Sequence, residues 1–391
     1  MISDKMKEYV SKSSIIRAMF EEGKKLSAVY GDENVFDFSL GNPNVEPPES
    51  IKKAVFEILN EESANLVHGY MSNSGYGDVR SAIAENINKK HNLKLTEDNL
   101  VMTCGAAGGL NIILKTLLNP ADEVITFSPF FGEYENYVNN FDGKLVIVPS
   151  DTETFEPDLN ALEDKINPRT KAVIINSPNN PTGVVYSEKL IKDLAEVLNR
   201  KQEQLGTSIY LISDEPYREI AYDGVKVPYI LNYYRNSFVG YSYSKSLSLP
   251  GERIGYVVCG SDADDFDDIV QSLNVANRIL GFVNAPSLFQ RVIAKCLDSK
   301  VDVNIYKKNR DILYNHLVDI GFSCVKPQGA FYLFPKSPIP DDVAFAAEAK
   351  KFNLLIVPGS SFKCPGHFRL SYCISYDKIK RSLDSFDKLM K

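Results

Sequence analysis

Tryptophan is absent from this chain of 391 residues, and histidine nearly so, with four. The shortage of histidine weighs against a zinc or iron centre: Cys364 and His367 have a CxxH spacing, but no second ligand pair accompanies them, so no metal is expected. Six cysteines (Cys104, Cys259, Cys296, Cys324, Cys364, Cys373) lie scattered without a CxxC pair. That excludes the disulfide framework of a small secreted domain and points to reduced thiols in the cytoplasm. Long apolar runs are missing too. No stretch reaches the roughly 20 residues that span a bilayer, and the opening MISDKMKEYVSKSS lacks the apolar core of a signal peptide, so a soluble, unsecreted protein is expected. Nor is there a basic excess: 44 Lys and Arg against 51 Asp and Glu give a net charge of -7, without a long basic run. Nucleic acid and anionic membranes are therefore not expected as partners, whereas small molecules and a second copy of the chain are.

What is present is an ordinary globular composition, 44% hydrophobic and 24% charged, with 21 Tyr and 21 Phe. The length exceeds what one hydrophobic core usually serves, which suggests about two domains. Residues 14–30 carry Ile15, Ile16, Met19, Phe20 and Leu26 at helical spacing, an amphipathic helix. VFDFSLGNPN reads as a short strand entering a turn, and PPESIKKAVFEILNE as a helix with prolines at its entrance. From residue 100 short apolar strands (NLVMTC, DEVITFS, KLVIVPS, KAVIINS, SIYLISD, SFVGYSYS, RIGYVVCG) are interleaved with amphipathic helices such as SEKLIKDLAEVLNRK. The expected fold is α/β: a large domain with a mostly parallel mixed sheet covered by helices on both faces. After about residue 285, long helices with GAFYLFP, LLIVPG and HFRLSYC suggest a smaller α/β domain. The expected division is 45–285 for the large domain, with 1–44 and 286–391 forming the small one.

Open α/β sheets bind ligands beyond the carboxyl ends of their strands. Five strand ends here carry suitable groups: Gly105-Ala106-Ala107, Pro129-Phe130-Phe131, Ser177 to Gly183 with Asn180, Asp214 to Tyr217, and Lys245. The glycine-rich turn at Gly105 reads either as a tight connection or as helix N-terminal amides of Ala106 and Ala107 holding a phosphate, with Ser242, Ser244 and Arg253 adding donors. Asp214 reads either as a helix cap or as the partner of a protonated ring nitrogen. Asn180 lies in an Asn-Pro turn of a common kind, but it and Tyr217 could donate to a ligand oxygen. Lys245 follows an apolar strand, is flanked by Ser242, Ser244 and Ser246, and has no acidic neighbour before Glu252. A surface lysine rarely has such a setting; an amine with a lowered pKa does.

The order of Gly41-Asn-Pro, Asn-Pro-Thr-Gly, Asp-x-x-Tyr, Ser-x-x-Lys with Arg eight residues on, and a late Arg369 resembles the class I/II aminotransferases of the aspartate aminotransferase superfamily, the fold-type I pyridoxal-phosphate enzymes. The likeness runs from Phe38 to about Arg369. It implies that Lys245 carries pyridoxal 5'-phosphate as a Schiff base and shuttles protons. It further implies that Asp214 pairs with the pyridine nitrogen and that Asn180 and Tyr217 bond the phenolic oxygen. Arg253, Ser242, Ser244 and the Gly105-Ala106-Ala107 turn would cradle the phosphate, and Phe131 would stack on the ring where many relatives use Trp. Arg369, Asn180 and the backbone of Gly41 would hold the substrate carboxylate. Tyr70 would reach the phosphate across a homodimer interface.

The implied reaction moves an amino group from an L-amino acid to a 2-oxo acid, with aspartate-type or broad donors. A C-S β-lyase on the same scaffold is the alternative. A non-catalytic ligand sensor is the remote rival; such regulators add a DNA-binding module, for which there is no room before Phe38. Arg278 lies near the segment that binds a distal carboxylate in aspartate-specific members, but the alignment slips around Gly281 to Pro286. Ile15, Ile16 and Arg17 resemble a segment that closes over the site, and equally suit a helix that simply docks.

Overall fold

Runs of apolar residues too short for helices become strands with both faces covered, and their alternation divides the interior. The computed structural model describes residues 2–11 and 15–391, the side chains of residues 11–18 and 20 excepted. Its strands are β1 (Phe36–Asp37), β2 (Leu100–Thr103), β3 (Glu123–Ser128), β4 (Lys144–Pro149), β5 (Thr170–Asn176), β6 (Tyr210–Asp214), β7 (Ser237–Ser242), β8 (Gly255–Cys259), β9 (Tyr332–Leu333), β10 (Leu354–Leu355), β11 (Val357–Pro358) and β12 (Phe368–Ser371). Seven form one sheet in the order β2-β8-β7-β6-β5-β3-β4, in which β8 alone runs against its neighbours.

Along β5, Ala172 and Ile174 enter one core while Val173 and Ile175 enter the other; β6 repeats this with Ile212 and Leu211. That period of two, with apolar residues at every step, is what a sheet buried on both faces demands. Every residue of β6, β7 and β8 is buried, whereas the edge strand β4 is largely exposed and carries Lys144 and Pro149, which discourage further pairing. Helices cover both faces. The helix Glu188–Leu205 shows why the sequence starts and stops it there: the Ser187 hydroxyl accepts from the Leu190 amide, and Gly206 ends it in the left-handed conformation at φ 63°.

A separate core gathers Phe36 and Phe38 with Leu313, Leu317, Phe345, Leu354, Phe368, Leu370 and Phe386. It is built from the parallel pair β1-β10, the antiparallel trio β11-β12-β9 and the helices Val303–Asp319, Asp342–Lys350 and Tyr376–Leu389. Tyr217, Ile220 and Tyr222, which follow β6, also pack into it. The two parts of the molecule therefore meet where a strand of the large sheet ends. The amphipathic helix expected over residues 14–30 spans Ile15–Tyr30, after a short helix at Asp4–Ser11, and Met19 touches both cores. The expected apolar side chains Ile15, Ile16 and Phe20, and Arg17, lie outside the described residues. No helix among the described residues is long and apolar enough to cross a membrane.

One close approach fixes the upper edge of the large sheet. A Cβ at Gly255, the first residue of β8, would overlap the Tyr241 carbonyl oxygen and lie 3.0 Å from the Gly105 Cα. Both are backbone atoms, so nothing can swing aside. Gly255→Ala is expected to destabilise the fold by about 2–3 kcal/mol, measured by urea unfolding, because the sheet must separate from the Gly105 turn.

Candidate active site

The ends of the central strands and the second core enclose a crevice of about 290 Å³. It is lined by Gly41, Ala106, Ala107, Phe131, Asn180, Asp214, Tyr217, Ser242, Ser244, Lys245, Arg253 and Arg369, the strand-end residues picked out in the sequence. Gly105 stands just behind the lining, where a Cβ would come within 3.0 Å of the Arg253 guanidinium. Tyr70 and Arg278 do not join them within one chain: Tyr70 is 95% exposed and Arg278 is also in solvent.

Asp214 ends β6 at the floor of the crevice and is buried. One carboxylate oxygen, Oδ2, accepts the Tyr134 hydroxyl at 2.6 Å, while Oδ1 is buried without any partner. Its backbone carbonyl accepts the Asn176 side-chain amide at 2.7 Å, which ties the ends of β5 and β6 together. Burial pushes the Asp214 carboxyl up to about 7; the Tyr134 hydrogen bond opposes this, and the nearby Glu215 charge adds to it.

Lys245 sits in the short turn Tyr243–Ser246 that follows β7, capped by the Ser242 hydroxyl, which accepts the Ser244 amide. Its Nζ donates to the Gly41 carbonyl at 2.7 Å and lies 5.5 Å from the Phe331 ring centroid. It forms no ion pair among the described residues. Desolvation brings its pKa down to about 8, the Cys373 thiol counteracting and the Arg253 and Arg369 charges assisting. A neutral, nucleophilic amine is therefore accessible at mildly alkaline pH.

Arg369 comes from β12 and is buried. Its Nη1 donates to Asn180 Oδ1 at 2.9 Å and its Nη2 to the Ser39 carbonyl at 2.5 Å, while Nε has no partner. Its guanidinium lies over the rings of Tyr332 and Phe362, at 4.7 and 4.8 Å. Because Asn180 spends its oxygen on Arg369, its amide NH₂ is left to donate into the crevice. The Asn180 backbone amide is held by Asn176 Oδ1 at 2.7 Å. Tyr217 places its hydroxyl 2.7 Å from that of Tyr332, both buried. At the other end, the Ser242 and Ser244 hydroxyls lie 2.7 Å apart beside the first turn of the helix Gly105–Leu117. The exposed Arg253 completes a set of donors suited to an anion.

Tyr134, Tyr332, Asn176 and Ser39 belong to this arrangement and escaped the sequence reading. Tyr134 alone left a signal, lying three residues after Phe131 beside a second tyrosine at Tyr137.

Comparison with known proteins follows the same lines. A family model described as aminotransferase class I and II matches residues 33–386. A probable aspartate/prephenate aminotransferase of Thermus aquaticus is 32% identical over 90% of this chain and 91% of its own. An aminotransferase structure from Eubacterium rectale superposes with a TM-score of 0.97 at 47% identity, covering 100% of this chain and 98% of that one. The aspartate aminotransferase of Thermus thermophilus with maleate gives a TM-score of 0.87 at 25% identity, over 100% and 99% of the two chains.

Folding raises the Asp214 pKa from 3.8 to about 7, so the folded ligand-free protein holds this proton more tightly than the unfolded chain. The stability from that proton is complete below about pH 4 and is lost as pH rises through about 7, falling by about 1.4 kcal/mol for each pH unit between the two. Unfolding of the ligand-free protein across that window is expected to show this loss, and Asp214→Asn to flatten it.

Proposed function

The chain belongs to the class I and II aminotransferase family and is an aminotransferase, and on that premise we propose that the crevice seats pyridoxal 5'-phosphate on Lys245 and transfers the amino group of an aspartate-type L-amino acid. The observation that carries this reading is the buried, unpartnered oxygen of Asp214 at the floor of the cavity that also holds Lys245. A carboxylate in that position lacks a cationic donor, and a protonated pyridine nitrogen is one. The rest of the donor set fits the same group. The Asn180 amide and Tyr217 hydroxyl suit the phenolic oxygen. Phe131, whose ring meets Tyr134 edge-on at 5.7 Å, supplies a stacking face. The amides of Ala106 and Ala107, the backbone at Gly105, the hydroxyls of Ser242 and Ser244, and Arg253 suit the phosphate.

Bound there, the cofactor supplies an electron-withdrawing ring that stabilises negative charge at the substrate α-carbon. Asp214, placed against a pyridinium, gains the counter-charge it lacks and is held ionised, the reverse of its ligand-free tendency. The Lys245 amine, with its pKa depressed to about 8, would take up the substrate α-proton and pass it on to the cofactor's aldehyde carbon, as amino transfer requires. Arg369 offers its unpartnered Nε, and the backbone at Gly41 helps hold the substrate carboxylate. A guanidinium kept planar between Tyr332 and Phe362 presents its fork without first losing side-chain freedom.

The aspartate preference rests on the relatives' names, the Thermus aquaticus protein being called an aspartate/prephenate and the Thermus thermophilus one an aspartate aminotransferase. We also propose a homodimer in which Tyr70 reaches the neighbouring phosphate site. A tyrosine ring 95% in solvent supports that reading. Arg278, exposed in the single chain, would meet the distal carboxylate of a dicarboxylic substrate in the same assembly. The division into a domain of residues 45–285 and one of 1–44 with 286–391 accords with the separate core around Phe38 and Phe386, although Tyr217, Ile220 and Tyr222 cross it. Six unpaired cysteines support a cytoplasmic location.

The test is a single half-reaction. Cofactor-loaded protein mixed with L-aspartate, without an acceptor, is expected to release one oxaloacetate per chain and no ammonia, read by mass spectrometry. Lys245→Ala is expected to slow this at least ~10³-fold. Release of pyruvate and ammonia from L-cysteine, with no oxo acid from aspartate, would turn the reading to a lyase.

A further inference from the structure

A second cavity, of about 650 Å³, shares no lining residue with the catalytic crevice. From the Lys245 turn it takes Tyr243, Ser246 and Leu247, whereas the crevice takes Ser242, Ser244 and Lys245. The volume is that of a site for a small molecule. Its interior holds a carboxylate, Glu219, that accepts the Tyr241 hydroxyl at 2.7 Å and its own backbone amide, and has no cation within ion-pair distance among the described residues. The adjacent Arg218 directs its hydrogen bonds elsewhere, to Glu215 and to the carbonyls of Val227 and Pro228 at 3.0 and 2.9 Å, and only its more distant charge, with that of Lys90, acts on Glu219.

The wall beside it is aromatic. Tyr241 and Tyr256 stack at 4.8 Å, and Tyr243 meets Tyr241 edge-on at 5.0 Å. Tyr229, 3% exposed, is clamped between His91 at 4.2 Å and the Arg218 guanidinium at 4.7 Å, yet its buried hydroxyl has no partner. A buried donor left without an acceptor marks a polar wall that is incomplete without an occupant. At the mouth stand the exposed Lys90, Lys226 and Lys300, none ion-paired among the described residues.

We propose that this cavity is a second binding site, for a free α-amino acid with a large apolar or aromatic side chain. Its ammonium would sit on Glu219, its carboxylate among the three lysines, and its side chain along the tyrosine wall. The charge pattern selects a zwitterion: a purely anionic ligand would face Glu219, and a purely cationic one would have to pass the lysine rim. Tyr229 adds a donor that the catalytic crevice does not use. The site also has a route to the chemistry. The Ser246 hydroxyl donates to the Tyr241 hydroxyl at 2.8 Å, and that hydroxyl donates to Glu219, so Glu219 itself lies two hydrogen bonds from the residue next to Lys245. Such a site makes the enzyme responsive to an amino acid it need not convert. The inference stands on this cavity alone and is independent of the donor assigned to the crevice.

Equilibrium dialysis of the cofactor-loaded protein with α-methyl-L-phenylalanine, which has no α-hydrogen to lose, is the test. Wild type is expected to bind one ligand per chain more than Glu219→Gln or Lys226→Glu at the same concentration, the extra site weakening ~10-fold or more in each variant. Any binding in the crevice is common to all three and cancels. Lys226 is exposed, so its substitution leaves the fold in place if Glu219→Gln perturbs Tyr241. Equal binding by all three proteins overturns the proposal, as does a soaked crystal with only ordered water in the cavity.

Discussion

The chain holds a carboxylate, an ammonium and a guanidinium in one crevice without pairing any of them with another. Asp214, Lys245 and Arg369 each lose water on folding, and burial shifts all three toward their neutral forms. An interior that only had to be stable would replace such groups or join them in ion pairs. Here the counter-charges must come from what binds, and the surrounding structure serves to keep the three groups apart and aimed.

That separation follows from the two cores. Asp214 and Lys245 end adjacent strands of the large sheet, so their spacing is set by β-sheet geometry rather than by side-chain choice. Arg369 belongs to the other core and arrives on β12. Buried hydrogen bonds tie segments that follow the sheet strands to that core: Arg369 to Asn180 after β5, and Tyr332 to Tyr217 after β6. Closing the second core onto the sheet thereby completes the crevice, and a change in either core that shifts β12 against β6 displaces Arg369 before it touches the Lys245 end.

The parts of this arrangement that could be read from the sequence share one property. Lys245, Asp214 and Asn180 each stand at or just past the end of a short apolar run, and a parallel sheet brings such ends together wherever the runs lie in the chain. Arg369 was reached only through resemblance, since nothing local in Phe-Arg-Leu-Ser distinguishes it from any half-buried strand arginine. Tyr134, Tyr332 and Ser39 were missed because their contribution is a through-space contact to a residue remote in the chain, as when Tyr134 meets Asp214. The Glu219 cavity was illegible for the same reason, since its walls come from strands, a helix and loops on five separated segments.

Borohydride reduction of the cofactor-loaded protein, followed by peptide mass mapping, tests the central claim most directly. A phosphopyridoxyl group on Lys245, and on no other lysine, is the result expected from a crevice that holds both a depressed amine and the unpartnered Oδ1 of Asp214. Labelling of a different lysine, or of none, would contradict it.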